Sequence, residues 1–144
     1  MVQASVSYNR TAGTLRGMHY SLPPSKEGKL VRCQRGAVHD VVIDLRPDSV
    51  TFKQHFALQL DAHSHLALYI PPGLAHGFQT LVDDTEVIYM MTDYYRPELA
   101  AGVHHADPAF GIRWPRPVAC IAERDRTYAP FDAAAVGDGA RHAA

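Results

Sequence analysis

The chain is 144 residues long, enough for one domain with a full core and too short for two ordinary ones. With 47% apolar and 20% charged residues and a formal net charge of -1, it has the balance of a soluble globular protein and lacks the basic excess that a nucleic-acid partner would call for. No apolar run approaches the roughly 20 residues that span a bilayer and no signal-like h-region opens the chain, so a cytoplasmic protein without a membrane partner is expected.

Extended segments dominate from residue 14 to about residue 95. Leu30 to Arg35 runs to a turn at Gly36, and Ala37 to Leu45 continues as a second strand until Arg46-Pro47-Asp48-Ser49 turns the chain. Phe56, Leu58 and Leu60 alternate with Ala57 and Gln59, the period-two pattern of a half-buried strand. Leu66 to Ile70, His76 to Leu81 and Thr85 to Thr92 are further extended pieces, separated by Pro71-Pro72-Gly73 and Val82-Asp83-Asp84. No helical periodicity lies between these strands, which predicts two sheets curled into a small antiparallel barrel with one open mouth. Residues 96–118, rich in Pro, Gly and His, are expected to wrap the barrel irregularly, with a short helical turn within Ala119 to Arg126. The Ala- and Gly-rich end from Asp132 has little to bury and is expected to fray, which bounds the domain at 1–131 and a flexible tail at 132–144.

Several side chains on these strands can do chemistry, and each also has a plain structural reading. His19 is either a hydrogen-bonded structural histidine or a general base, since imidazole titrates near neutrality. Arg16 is a surface cation or a bidentate holder of phosphate or carboxylate. Lys29 shares a strand face with Val31 and Cys33, and Asp40 lies between Val38 and Val42 by the same parity. The two form a buried salt bridge, or Lys29 stabilises a ligand oxygen while Asp40 orients a histidine such as His76. Tyr89 shares a face with Val87 and Met91 and reads as aromatic core on spacing alone. Cys33 reads as a buried thiol, and with Cys120 it makes no disulfide framework. Asp61, His63 and His65 would suit zinc, yet Asp61-Ala-His-Ser-His65 also reads as a turn and has no second ligand pair to complete it; His104-His105 is weaker still. Gly-rich phosphate loops, CxxC pairs and GxSxG elbows are absent from the sequence.

The stretches GTLRGMHY, GKLVRCQRGAVHDVVIDLR with TF soon after, YIPPGLAHGFQTL, YMMTDYYRPE, DPAFGIRWP and AERDRTYAPF occur in that order between Gly13 and Phe131. Together they make the chain resemble the cupin-fold dTDP-4-dehydrorhamnose 3,5-epimerases and their relatives in nucleotide-sugar biosynthesis. The resemblance implies an all-β double-stranded β-helix, or jelly roll. It also implies a homodimer and a metal-free isomerase that uses no cofactor and acts beside the C4 keto group of a dTDP-linked 6-deoxyhexose.

By that resemblance, the general base falls on His19 and its paired carboxylate on Asp125. The proton-donating tyrosine falls on Tyr89, the substrate-side cations on Arg16 and Lys29, and a second His–Asp pair on His76 and Asp40. An aromatic beside the nucleotide base falls on Tyr94. Val2-Gln3 matches the start of the family's VQDNHS, which places Gln3 against substrate, but DNH is here Ala4-Ser5-Val6. RQLWIP reads LALYIP, and the lysine that follows the tyrosine is Met90. Family members carry a longer segment ahead of this point, where they build part of a neighbouring subunit's pocket. The readings that follow are an epimerase at C3, C5 or both, and alternatively a noncatalytic cupin that binds the nucleotide sugar.

Overall fold

Alternating side chains build two facing sheets. The structure, a computed structural model, describes residues 1–133. The strands are β1 (Gln3–Asn9), β2 (Thr14–Ser21), β3 (Lys29–Arg35), β4 (Ala37–Asp44), β5 (His55–Asp61), β6 (Leu68–Ile70), β7 (Leu74–Thr80), β8 (Thr85–Met91), β9 (Ala100–Gly102) and β10 (Cys120–Ile121), followed by the one-turn helix α1 (Glu123–Arg126). One sheet runs β1-β8-β3-β6, the other β10-β2-β7-β4-β5, with β9 against β2.

Register fixes what faces the space between them. Gln3, Met91 and Lys29 form one row across the first sheet, Ser5, Tyr89 and Val31 the next, and Ser7, Val87 and Cys33 the third. On the second sheet Asp40, Phe78 and Arg16 make one row, and Val42, His76 and His19 another. At one end the gap is filled by a core of Val31, Cys33, Val38, Val42, Leu60, Ile70, Phe78 and Val87. At the other end it stays open. Such a division follows from chemistry, because the apolar members of the inward rows lie at one end and the polar members at the other.

The far face of the second sheet is buried as well. Met18, Val41, Ile43, Leu45 and Ala75 pack under Val103 and Phe110, with Trp114 and Phe131 at the margin. Residues 96–118 therefore do wrap the barrel, and they do so with more order than expected: Pro97–Leu99 is a 3-10 turn and Ala100–Gly102 pairs with Tyr20 and its neighbours on β2. Covering both faces explains why β4 is buried along nearly its whole length.

Three expectations need correction. The first strand, β1, precedes the expected start of extended structure, because its inward residues are the polar Gln3, Ser5 and Ser7 while Val6 and Tyr8 face out. The usual pattern is inverted. The barrel is not wholly antiparallel, since β10 joins β2 in parallel at Cys120 and Ile121; the stretch expected to be helical from Ala119 thus begins as strand before α1 turns. The segment from Leu66 becomes strand only at Leu68, after a turn in which His65 has φ 56°. The tail expected over residues 132–144 lies, but for Asp132 and Ala133, outside the described residues.

Candidate active site

A cavity of about 360 Å³ occupies the open end between the sheets. Strict alternation along β2 would send Arg16 and His19 to opposite faces, yet both line it. The register between β2 and β7 slips between these two residues. Gly17 and Gly77 meet there: Gly17 has φ +115°, and a Cβ on it would stand 2.6 Å from Gly77 Cα and 2.7 Å from the His76 carbonyl. Only glycine tolerates that approach. The slip turns His19 inward while Met18 enters the opposite core.

His19 Nε2 lies 2.7 Å from Asp125 Oδ1, and the other Asp125 oxygen accepts the Gly17 N–H at 3.1 Å. Burial raises the carboxyl's proton affinity, but the bonds from His19 and Gly17 and the nearby Arg124 outweigh it and hold Asp125 below the usual carboxylate range. An ionised Asp125 makes Nε2 the protonated nitrogen and leaves Nδ1 with a lone pair. Arg124 Nη2 stands 3.2 Å from the same Nε2 and its Nε 3.5 Å from Asp125 Oδ1. Tyr128 meets the His19 ring edge-on, with centroids 6.3 Å apart.

Behind the cavity wall, His76 Nε2 contacts both oxygens of the fully buried Asp40, at 3.1 and 3.0 Å. Asp40 thus orients His76. It does not pair with Lys29, whose Nζ is 3.2 Å from Glu27 Oε1 instead. The salt-bridge alternative for Lys29 and Asp40 fails because Asp40 is taken by His76 and Lys29 by Glu27.

Tyr89 faces His76 edge-on at 6.3 Å and lies beside Phe78. Burial pushes its phenol well above the ordinary tyrosine value, against the opposing influence of a hydrogen bond with Ser7, so it keeps its proton at neutral pH. Arg16 is fixed by its Nε–H, which donates to Asn9 Oδ1 at 3.0 Å.

The cavity gathers Gln3, Arg16, His19, Lys29, His76 and Tyr89 from the sequence-derived set, with Asp40 and Asp125 directly behind it. Tyr94 is not brought there: it is 68% exposed, and its neighbour Tyr95 lines the cavity, with its backbone N–H bonded to Gln3 Oε1 at 3.0 Å. Adjacent tyrosines in a loop leave a sequence no means of choosing between them. Glu27, Arg124, Tyr95 and Tyr128 are lining residues that sequence reasoning missed; of these only Arg124, next to Asp125, had a usable signal.

The other histidine clusters are held in local structure, although the buried His105 Nδ1 has no hydrogen-bond partner among the described residues. Asp61 Oδ1 accepts the backbone N–H of His63 and of Ser64, and His65 Nδ1 contacts Arg32, so the Asp-x-His-x-His stretch is a turn. His104 and His105 stack at 4.4 Å, and the His105 carbonyl accepts the Trp114 Nε1–H. Cys33 is buried with its thiol pushed up to about 11, first by burial, the state of an inert core cysteine.

Fold and cavity together define a cupin-type jelly roll with a histidine–carboxylate pair and a protonated tyrosine on facing sheets. The chain belongs to the dTDP-4-dehydrorhamnose 3,5-epimerase family, whose profile matches residues 1–133. The dTDP-4-dehydrorhamnose 3,5-epimerase of Sinorhizobium fredii is 42% identical over 116 residues, which are 81% of this chain and 60% of that protein. Among solved structures, that of dTDP-4-dehydrorhamnose 3,5-epimerase from Bacillus anthracis, with TDP and PPi bound, is similar at TM-score 0.88 and 41% identity over 90% of this chain and 74% of that one. The dTDP-6-deoxy-D-glucose-3,5-epimerase of Legionella pneumophila, in complex with dTDP-4-keto-L-rhamnose, is similar at TM-score 0.86 and 34% identity over 94% and 73%. This chain spans about three fifths of the length of the Sinorhizobium relative.

Proposed function

We propose that this protein epimerises a dTDP-linked 4-keto-6-deoxyhexose at C3, C5 or both. The observation that carries the reading is His19 on one sheet, paired at 2.7 Å with Asp125 of α1 and lining the same cavity as the protonated Tyr89 on the other sheet. A ketone acidifies the C–H bonds beside it, because the carbanion spreads its charge to oxygen. His19 takes that proton on Nδ1, and Asp125 balances the imidazolium. The electron pair of the C–H bond moves to the C4 oxygen, where Lys29 Nζ stabilises the enolate. Tyr89 then returns a proton to the opposite face of the carbon, the C4=O bond re-forms, and the centre is inverted. Afterwards His19 releases a proton and Tyr89 regains one, so the sugar's composition is unchanged and no electron leaves it.

Arg16, anchored by Asn9, is placed to hold the diphosphate, with Gln3 on the substrate side. Tyr95, which lines the cavity, takes the place of Tyr94 as the aromatic for the nucleotide base. The similar Bacillus anthracis structure has TDP and PPi bound, which supports a nucleoside-diphosphate ligand for this protein. Assembly as a homodimer belongs to the same proposal; Val6 and Tyr8 on β1 and Tyr69 on β6 are exposed large side chains of the first sheet.

The alternative, a cupin that binds the nucleotide sugar without turning it over, separates cleanly in deuterated solvent. Incorporation of deuterium at C3 or C5 supports the epimerase. Tight binding with neither proton exchanged supports the alternative.

A further inference from the structure

Among the described residues Glu27 is the one carboxylate in the cavity lining, and the acid–base set leaves it without a role. A negative charge facing a cavity meant for a diphosphate ester is unfavourable unless it is aimed at a donor. Its side chain is 10% exposed and that of Lys29 19%. Both protein bonds converge on one oxygen: Oε1 is 3.2 Å from Lys29 Nζ and 3.4 Å from Ser21 Oγ. The backbone is held as well, by Ser25 Oγ on the Glu27 N–H and by Thr92 Oγ1 on the Gly28 N–H. Glu27 thus lines the cavity from a fixed position, with its side-chain bonds on Oε1 and the acceptor capacity of Oε2 to spare.

The next step rests on the reaction proposed above, in which Lys29 meets the C4 oxygen. On one side of C4 the sugar carries a hydroxyl, at C3; on the other side C5 carries a methyl group, which cannot donate. Vicinal sugar oxygens are about one hydrogen-bond length apart. A C4 oxygen on Lys29 Nζ therefore brings the C3 hydroxyl beside the carboxylate that holds the same ammonium. We propose that Glu27 Oε2 accepts a hydrogen bond from the C3 hydroxyl, so that Glu27 selects 3-hydroxy sugars over 3-deoxy ones. The bond is charge-assisted, and a 3-deoxy sugar leaves the carboxylate desolvated without a donor.

The test uses dTDP-linked 6-deoxyhexose and its 3-deoxy counterpart, both with a C4 hydroxyl in place of the ketone so that neither is turned over. Their affinities for the wild type, Glu27→Gln and Glu27→Ala are measured by calorimetry. The wild type is expected to prefer the 3-hydroxy ligand by about tenfold or more, and Glu27→Ala to bring the ratio close to one. Glu27→Gln, nearly identical in shape, guards against a folding defect and is expected to keep only part of the preference. An unchanged ratio in Glu27→Ala, with both ligands weakened equally, would show that Glu27 only anchors Lys29 and overturns the proposal. So would a wild type that does not discriminate. Discrimination without proton exchange on the keto sugar would sink the epimerase reading and leave Glu27 as the hydroxyl acceptor; failure of both ligands to bind would sink both.

Discussion

Asp125 reaches His19 across 106 positions of sequence, with Oδ1 2.7 Å from Nε2, while its second oxygen holds the N–H of Gly17 in the irregular stretch that turns His19 inward. One carboxylate thus fixes both the ring and the backbone that aims it. Asp125→Asn keeps the shape and removes the charge. We expect proton exchange on the keto sugar to fall by roughly 10²-fold or more, and thermal unfolding to shift by only about 1–2 kcal/mol. A rate within twofold of wild type would show that the pair is structural.

Tyr89→Phe separates the two halves of the reaction. The substitution keeps the aromatic volume against His76 and Phe78. Exchange by His19 is expected to persist while inverted sugar is strongly reduced, both read on the same samples by NMR. Loss of exchange and inversion in parallel would point to substrate positioning, and unchanged inversion would make Tyr89 a packing residue.

Much of this arrangement is legible in the sequence. Parity along β3 and β8 places Lys29 and Tyr89 on the inward face beside Val31 and Val87, and the structure keeps them there. Other parts depend on long-range geometry. Nothing local brings Asp125 to His19, since the contact needs β10 to dock in parallel on β2; the pairing entered through resemblance alone. β1 escapes a search for alternating apolar residues because its inward face is the polar wall of the cavity. Glu27 escapes it because the residue precedes its strand, where alternation carries no information.

Gly17→Ala tests the slip in β2 itself. At φ +115° and 2.6 Å from Gly77 Cα, a methyl group has no room, and the neighbours are backbone that cannot step aside. A loss of about 2–4 kcal/mol in denaturant unfolding is expected, with exchange activity lost beyond what the unfolded fraction explains. Wild-type stability in this variant would contradict the close approach.

Asp44 governs acid stability. Bonds from Arg46 come first, and with Ser49 and Thr51 they outweigh burial and hold its carboxyl far below the usual carboxylate range. Its stabilising contribution is therefore complete above the unfolded-state value of about 4 and declines as pH falls below that, where the unfolded chain binds the proton first. Asp44→Asn is expected to lower stability near neutrality by about 2–3 kcal/mol and to flatten its decline in acid. Equal slopes for the two proteins in urea unfolding between neutral and acid pH would remove Asp44 from that role.

The central claim is that His19 removes a proton from the carbon beside the keto group. It is tested most directly by following deuterium uptake at C3 and C5 of a dTDP-linked 4-keto-6-deoxyhexose in deuterated solvent, for the wild type and for His19→Asn. The account predicts uptake by the wild type and a loss of roughly 10²–10⁴-fold in the variant, with circular dichroism and dTDP affinity nearly unchanged. Uptake by His19→Asn at the wild-type rate, or a wild type that binds the sugar and exchanges neither proton, would contradict it.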